Sequence, residues 1–395
     1  MNTRAVAVAS LILLASCGGG GGSSPAPQQP AAPLPPVTNA PAAGTATLTL
    51  DVPRGTTSAR RAPKYVSPNS AFLVVTVKTV NGQPPTAAQV PPALNPQTFP
   101  LSTAPGGNCQ TSPNGETCTV TIPAPTGQVT YQFDLLDASQ NKLATNTLTY
   151  TIAAGQTSNL QAVLNGIVAS VTVTAPTLTA GTSFSGPITV NAFDASGALI
   201  VGSAPYNNPF TLTDNDGSGA TSLTDGATTG SVVTVAGPND VVILNSDGQD
   251  IDPFTITATI PTKPPQTAGT VQITHSPVTF PGTPNDTQRP SDPNYNQPTV
   301  ALTAIPQTAQ FTAAQAGWSD HGTHGFTVAL DPVTCGSGAS AVVTVAPAPG
   351  TNNRTFNVTS QNPGTCKGTV TGGPPGHPQS GTIWFSVTAS RIIVN

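Results

Sequence analysis

Charged side chains are scarce in this sequence, and their scarcity limits the kinds of partner that it can bind. Only 7% of the 395 residues are charged, and the formal net charge is −4, whereas an average soluble domain has about 25% charged residues. No basic patch is large enough to follow a nucleic-acid backbone, so we expect no nucleic-acid partner. The densest basic run, Arg54, Arg60, Arg61 and Lys64, indicates a solvated loop; the alternative is a contact with anionic lipid or cell-wall polymer.

Aromatic residues and helical patterns are also rare. Aromatic residues make up 5% of the chain against 37% for all apolar residues, so Val, Ile and Leu must fill the interior. No stretch of useful length has apolar residues at helical spacing. Glycine (38 residues) and proline (43 residues) are abundant but aperiodic, which excludes a collagen-like chain.

A short apolar run lies at the amino end. Residues Ala5 to Ala15 are apolar apart from Ser10, and they follow the single positive charge of Arg4. Eleven residues of helix reach only about 16 Å, roughly half the hydrocarbon core of a bilayer. The run is therefore too short to span a membrane, and we predict that residues 1–16 are a signal peptide.

The predicted signal peptide ends in Leu14-Ala15-Ser16-Cys17. This segment resembles the lipobox of bacterial lipoproteins, in which an aliphatic residue and two small residues precede a cysteine. The resemblance implies that Cys17 receives a diacylglyceryl group and becomes the N-terminus; the alternative is an ordinary signal peptide with an incidental cysteine. Several acyl chains, at ~0.8 kcal/mol per buried CH₂, would bind a membrane stably. Glycine follows the cysteine where lipoproteins of an inner membrane often have aspartate, which favours the outer membrane or cell surface.

Residues 17–43 are predicted to be a linker. They are mostly Gly, Ser, Pro and Ala and contain no charge, so they cannot bury a core and should be extended or disordered. At ~3 Å per residue in its Pro-rich part, this linker would hold the rest of the chain several tens of Å from the membrane.

The cysteine count is odd, and lipidation of Cys17 accounts for one of the five. The remaining four allow three disulfide pairings. We favour the local pairs, Cys109 with Cys118 and Cys335 with Cys366, because each pair lies within one predicted domain. The alternative is a four-cysteine metal site, which the absence of any CxxC spacing disfavours.

Alternation of apolar and polar residues predicts β-strands from residue 44 onward. Clear examples are Thr45–Val52, Phe72–Val80 and Val129–Leu136, and turn residues bound each run. Strands at roughly ten-residue intervals, each with one polar face, are typical of antiparallel β-sandwiches. The predicted fold class is therefore all-β, with tandem sandwich domains after a disordered N-terminal linker.

Turn-rich breaks divide the strands into three predicted sandwich domains. The first covers residues 44–166 and the second residues 167–280. Residues 281–298 are rich in Pro, Asn, Asp and Gln and are predicted to form a linker that acts as a hinge. The third domain covers residues 299–395, and its Trp384 is expected in the core rather than in a ligand-binding face.

A weak repeat connects the first two predicted domains. Asp137-Ala-Ser and Asp194-Ala-Ser each stand at a turn between an alternating strand and an apolar one. This arrangement resembles tandem bacterial immunoglobulin-like (Ig-like) domains, as in many surface lipoproteins, over about residues 44–395. The resemblance rests on pattern, because the Cys…Trp…Cys signature of antibody domains is absent: Trp318 precedes both cysteines of the third domain and Trp384 follows them.

One segment resembles part of a protease site. Asp320-His321-Gly322-Thr323-His324-Gly325 is similar to the segment around the catalytic histidine of subtilisin-like serine proteases, and Gly181-Thr182-Ser183 to the start of their nucleophile motif. In that family, however, the serine follows the histidine and opens a helix, whereas Ser183 precedes it and lies between predicted strands. The helices of that fold are also missing, so we predict no catalytic residue and no enzyme.

Two loops contain residues of the types that bind metals. Asp320, His321 and His324 could bind a metal, although solvated loop histidines are the favoured interpretation. The other two histidines, His275 and His377, are distant in sequence.

The second loop, Asp214-Asn215-Asp216-Gly217-Ser218-Gly219, alternates side-chain oxygens before a turn glycine, which suits calcium. Asp247, Asp250 and Asp252 could add charge. No bidentate glutamate follows at EF-hand spacing, and an Asp/Asn/Gly turn is favoured. Calcium through Asp214 and Asp216 thus remains a weak candidate, and no other cofactor is predicted.

The leading functional hypothesis is an exported, lipid-anchored surface protein whose domains act as a structural, adhesion or binding module. Its partners would be the membrane, through the lipid, and an unidentified surface protein or polysaccharide. With only 5 Tyr and 2 Trp, a strong carbohydrate-binding face is disfavoured. The alternative is a secreted hydrolase, or an accessory carbohydrate- or wall-binding domain of an extracellular enzyme. A buried cluster of acidic and histidine side chains in a cleft would favour the enzyme.

Overall fold

Almost all of the regular structure is β, as the alternating sequence predicts. The computed structural model describes residues 44–53, 66–113, 115–226, 228–288, 290–318, 325–346, 354–373 and 376–388, all within one compact unit, Pro41–Asn395. In these stretches the only α-helix is α1, Pro332–Cys335, and short 3-10 turns cover Pro92–Leu94 and Gly338–Ser340. The same stretches contain no helix with the length and apolar character needed to span a membrane. The predicted signal peptide, Cys17 and the predicted linker 17–43 lie outside the described residues.

The first sandwich comprises two sheets. Its strands are β1 Gly44–Pro53, β2 Phe72–Val80, β3 Gln97–Pro100, β4 Cys109–Ser112, β5 Gly115–Ala124, β6 Gly127–Leu136, β7 Lys142–Ile152, β8 Thr157–Leu160 and β9 Asn165–Gly166. One sheet has the order β4-β5-β1-β8 and the other β3-β2-β6-β7-β9. Neighbouring strands are antiparallel except β1 and β8, which run parallel.

The second sandwich also comprises two main sheets. Its strands are β10 Ser170–Thr174, β11 Leu178–Thr179, β12 Phe184–Phe193, β13 Phe210–Asp214, β14 Thr221–Thr224, β15 Thr229–Gly230, β16 Val232–Val235, β17 Val242–Ser246, β18 Phe254–Thr259, β19 Gln266–Val271 and β20 Ile273–Thr274. The sheets are β10-β12-β17-β14-β15 and β16-β13-β18-β19, and the short strands β11 and β20 form a parallel pair.

The third sandwich has the simplest topology. Its strands are β21 Thr299–Leu302, β22 Thr308–Thr312, β23 Thr327–Leu330, β24 Val343–Ala346, β25 Thr355–Ser360, β26 Gly364–Gly372 and β27 Gln379–Val387. The sheets are β21-β27-β26-β23 and β22-β25-β24, and β21 runs parallel to β27. This is the immunoglobulin strand arrangement, except that the first strand pairs with the last.

The few aromatic residues concentrate in the cores. In the first sandwich the rings of Tyr131 and Phe133 stack with centroids 5.9 Å apart. In the third, the ring of Phe311 lies 5.2 Å from that of Phe356 and 5.7 Å from that of Phe385. Trp384 is 8% exposed, so it is buried, as the sequence predicted.

The junction between the first two sandwiches is packed rather than loose. A single hydrophobic cluster runs through both, and it includes Leu164 and Val168 on either side of the predicted boundary. Just after this boundary, within the second sandwich, the side chain of Asn208 accepts from Val168 N at 2.7 Å and donates to Val168 O at 2.9 Å. The amide of Asn207 donates to Gly166 O at 2.9 Å. These contacts leave little room for hinge motion at residue 166.

The predicted linker 281–298 differs from the structure. Its described residues form a closed loop, in which Asp286 N donates to Gln297 O at 3.0 Å and Thr299 N donates to Pro284 O at 2.9 Å. The side chain of Asn294, only 1% exposed, donates to Asp286 Oδ2 at 2.7 Å. The Asn and Asp side chains that suggested a solvated hinge instead hydrogen-bond within the loop.

The boundary before this loop also lies earlier than predicted. Val278 and Phe280, assigned from the sequence to the second domain, belong to the hydrophobic cluster of the third sandwich. Thr279 forms backbone hydrogen bonds in both directions with Ala314. Val278 and Phe280 precede the polar segment from which the boundary was predicted. A change in composition marks the start of that segment, but it does not show which hydrophobic core a preceding apolar residue joins.

The second and third sandwiches meet through backbone. Asp250 N donates to Gly317 O at 2.7 Å. A Cβ atom on Gly317, whose φ is +73°, would lie 2.3 Å from Gly181 N, so only glycine allows this approach. The two sandwiches are therefore in direct contact where Gly181 and Gly317 meet.

Candidate functional site

Both disulfide pairs favoured from the sequence are present. Cys109 and Cys118 face each other in the β4–β5 hairpin. Cys335, at the end of α1, bonds to Cys366 on β26. Each disulfide thus closes a loop within one sandwich, and these four sulfur atoms are not available to a metal.

The two Asp-Ala-Ser segments form turns of the same kind. Asp137 Oδ1 accepts from the amides of Ser139 and Asn141, both at 2.8 Å. Asp194 Oδ1 accepts from the amides of Ser196 at 2.9 Å and Ala198 at 3.0 Å. The hydrogen bond from the Asn141 side chain, with those from the two amides, holds the pKa of Asp137 below its usual value despite burial. These carboxylates stabilise turns, which is a structural role.

The candidate calcium loop between β13 and β14 also satisfies its own carboxylates. Asp214 accepts from the Asp216 amide at 2.9 Å and from Thr221 Oγ1 at 2.6 Å. Asp216 accepts from the amides of Ser218, Ala220 and Thr221, each at 3.1 Å. Burial raises the pKa of Asp214, and its hydrogen bonds oppose this rise only in part. N–H and O–H donors thus occupy the oxygens that a calcium ion would use.

Of the aspartates that could have added charge, Asp247 lies beside this loop, because its amide donates to Ala220 O at 3.0 Å. Asp247 Oδ1 accepts from the Gln249 amide at 2.8 Å. Asp252 lies beside two histidines rather than beside Asp214. The calcium site therefore remains a prediction from the sequence.

We expect Asp216→Ala to lower the free energy of unfolding by about 1–2 kcal/mol, because three amides, two of them in partly buried hydrogen bonds, lose their acceptor. Millimolar calcium should raise the melting temperature by less than a few degrees, since only a ligand of the native state stabilises it. Differential scanning fluorimetry of both proteins, with and without calcium, measures these effects. A large calcium shift that Asp216→Ala removes would show that the loop binds the ion.

Ser183, the residue similar to a protease nucleophile, lies in a shallow groove of about 510 Å³. It is exposed and immediately precedes β12. Most residues that line the groove are polar, among them Ser185, Ser222 and Asn245, and Asp247 is the one titratable side chain. No histidine is among the described residues that line it. Asp320, His321 and His324 lie outside the described residues.

A second group of side chains, which the sequence analysis did not connect, lies between the second and third sandwiches. Asp252 precedes β18 and His275 follows β20, whereas His377 lies between β26 and β27. Asp252 Oδ1 is 3.3 Å from His377 Nδ1 and 3.7 Å from His275 Nε2. The two imidazole rings stack, with centroids 5.7 Å apart and an interplanar angle of 20°.

The two histidines of this cluster have different surroundings. The side chain of His275 is 5% exposed and that of His377 50%. Burial lowers the pKa of His275, Asp252 opposes this effect, and His377 adds to it. The lowered pKa favours the neutral imidazole of His275, which has a free electron pair on one nitrogen. Only the contact between sandwiches brings these residues together, and no local sequence pattern signals it.

The comparisons with known proteins identify no family. No protein-family model matches the sequence, and no curated protein matches it. Among solved structures, domains 4–9 of the surface layer protein SbsC are 12% identical, with a TM-score of 0.19, over 82% of this chain and 48% of that one. The chain thus spans about half the length of that structure.

Two further solved structures are a titin fragment of three Ig domains and the extracellular domains of a Drosophila protein. The I67–I69 fragment of titin is 10% identical with a TM-score of 0.27, over 88% of this chain and 98% of that one. Extracellular domains 3–5 of Drosophila OTK are 10% identical with a TM-score of 0.25, over 81% and 87%. These TM-scores are low, so the Ig-like assignment rests on the strand order of the sheets themselves.

Proposed function

We propose that the chain is an exported, lipid-anchored surface protein. The observation that carries this proposal is the use of the cysteines. Four of the five form disulfides within the sandwiches, and disulfides persist in oxidising compartments outside the cytosol. The remaining cysteine is Cys17, which ends the lipobox-like segment Leu14-Ala15-Ser16-Cys17. A disulfide-bonded body and a lipid-modified N-terminus are mutually consistent, since both require export.

The sandwiches would serve as a structural or binding module at the cell surface. The continuous core between the first two sandwiches and the glycine contact between the second and third favour a stiff body over a set of loosely connected domains. The groove beside Ser183 is open and lined mostly by polar residues, which suits contact with a macromolecule better than enclosure of a small substrate. The partner would be a surface protein or polysaccharide, which cross-linking on intact cells would identify.

We expect Cys17→Ser to abolish acylation and to leave the protein unprocessed or free of the membrane. The thioether bond needs the sulfur of Cys17, and without it the protein has no acyl chains to hold it to lipid. Metabolic labelling with a palmitate analogue, followed by membrane fractionation, measures both effects. Ser16→Ala is the matched control, because it keeps a small residue before the cysteine and should be acylated normally. Unchanged labelling and retention of Cys17→Ser would refute the lipid anchor.

A further inference from the structure

The cluster of Asp252, His275 and His377 contains the side-chain types that bind a borderline divalent metal. Two imidazole nitrogens and one carboxylate oxygen form a ligand set used by zinc. The three ligand atoms lie within 4.8 Å of one another. Among the described residues, the other group of this kind is Cys109, Glu116 and Cys118, whose sulfurs are joined in a disulfide.

The distances in the cluster are close to those of a tetrahedral site. A zinc ion with ligands ~2.0–2.2 Å away holds neighbouring ligand atoms about 3.4 Å apart. The separations between Asp252 Oδ1 and the two histidine nitrogens are 3.3 and 3.7 Å. The two imidazole nitrogens lie within 4.8 Å of each other, and His377, being half exposed, can rotate to adjust this separation.

The buried histidine provides independent evidence for a ligand. The side chain of His275 is 95% buried, since it is 5% exposed, and its Nε2 atom has no hydrogen-bond partner among the described residues. A buried nitrogen without a partner is costly unless something binds it. This nitrogen lies 3.7 Å from Asp252 Oδ1, which is longer than a hydrogen bond and close to the separation of two ligand atoms around one zinc ion.

We propose that Asp252, His275 and His377 bind a zinc ion that links the second and third sandwiches. Asp252 and His275 come from the second sandwich and His377 from the third, so the ion would join two sandwiches that the chain itself connects through the short segment between His275 and Val278. Asp252 is 39% exposed and His377 50%, which leaves a path from solvent and a fourth position for water. The ion would therefore fix the contact at which Gly181 meets Gly317.

The test is a calorimetric titration of the full, chelator-treated chain with zinc chloride. We expect one zinc ion per chain at this site and a loss of affinity of at least about tenfold in His377→Ala. Because His377 is half exposed, this variant should fold normally, whereas His275→Ala removes a buried ring. Asp252→Asn keeps the shape of the side chain and should also weaken binding. Calcium chloride, a hard cation that prefers oxygen ligands, should give no heat that depends on His377.

The matched control is His321→Ala combined with His324→Ala, which removes the chain's other two histidines. This control should bind zinc as the unaltered chain does. Cys17 is present in all the proteins compared, so it cannot account for a difference in zinc binding between them. Cobalt(II) as a probe should give the visible absorption of a tetrahedral site in the control but not in His377→Ala. Absence of zinc binding, equal affinity in His377→Ala, or loss of binding in the control would each overturn the proposal.

Discussion

Replacing Phe385 by alanine should destabilise the third sandwich by about 3–5 kcal/mol, the usual cost of removing a buried phenylalanine ring. Phe385 is fully buried on β27. The centroid of its ring lies 5.7 Å from that of Phe311. In the antiparallel pair of β26 and β27, Phe385 lies opposite Cys366. The rigid sheets cannot close the resulting cavity, and the expected loss is a large part of the ~5–15 kcal/mol that stabilises a typical domain.

The effect should be confined to the third sandwich, because its hydrophobic cluster is separate from the one shared by the first two. Tryptophan fluorescence measures it selectively, since both tryptophans of the chain, Trp318 and Trp384, are buried in the third sandwich. Both signals are followed in a urea titration, in which circular dichroism reports on all three sandwiches. Val333→Ala is the matched control: Val333 is 89% exposed, so its truncation should cost no more than ~0.5 kcal/mol. A shift of both signals by the same amount would contradict independent unfolding of the third sandwich.

The features that could be predicted from the sequence are those set by local pattern. In β1 the buried residues Ala46, Leu48, Leu50 and Val52 alternate with exposed or half-exposed ones, so a period of two suffices to identify the strand. The Asp-Ala-Ser turns are equally local, because Asp137 and Asp194 bind amides two and four residues away. The disulfide pairing was predicted from the assumption that cysteines within one domain pair with each other.

Features that depend on contacts between distant segments were missed. The parallel pair of β1 with β8 joins the first sandwich's opening strand to a strand more than a hundred residues later, and alternation is the same in parallel and antiparallel edge strands. The cluster of Asp252 with His377 connects residues 125 positions apart. The packing of Val278 in the core of the third sandwich also depends on contacts with distant segments. In each case sequence composition describes the segments, but only the packing of sandwiches determines which segments meet.

Removing the Cys335–Cys366 disulfide, by Cys335→Ala with Cys366→Ala, should destabilise the third sandwich by about 4 kcal/mol. The bond joins residues 31 positions apart, and the chain-entropy model gives about 3.7 kcal/mol for a loop of that size. The bond between Cys109 and Cys118 spans 9 positions, for which the same model gives about 2.7 kcal/mol. The longer loop should therefore contribute more, because it restricts the unfolded chain more.

Each double variant serves as the control for the other. In urea titrations followed by tryptophan fluorescence, Cys335→Ala with Cys366→Ala should move the midpoint of the third sandwich to much lower urea. Cys109→Ala with Cys118→Ala should leave that midpoint in place and shift only the circular dichroism signal. Cys335 and Cys366 are both buried, at 1% and 0% exposure, so lost packing adds to the entropic effect rather than offsetting it. A loss below ~1 kcal/mol in the third sandwich would show that its core, rather than the covalent bond, restricts the segment from α1 to β26.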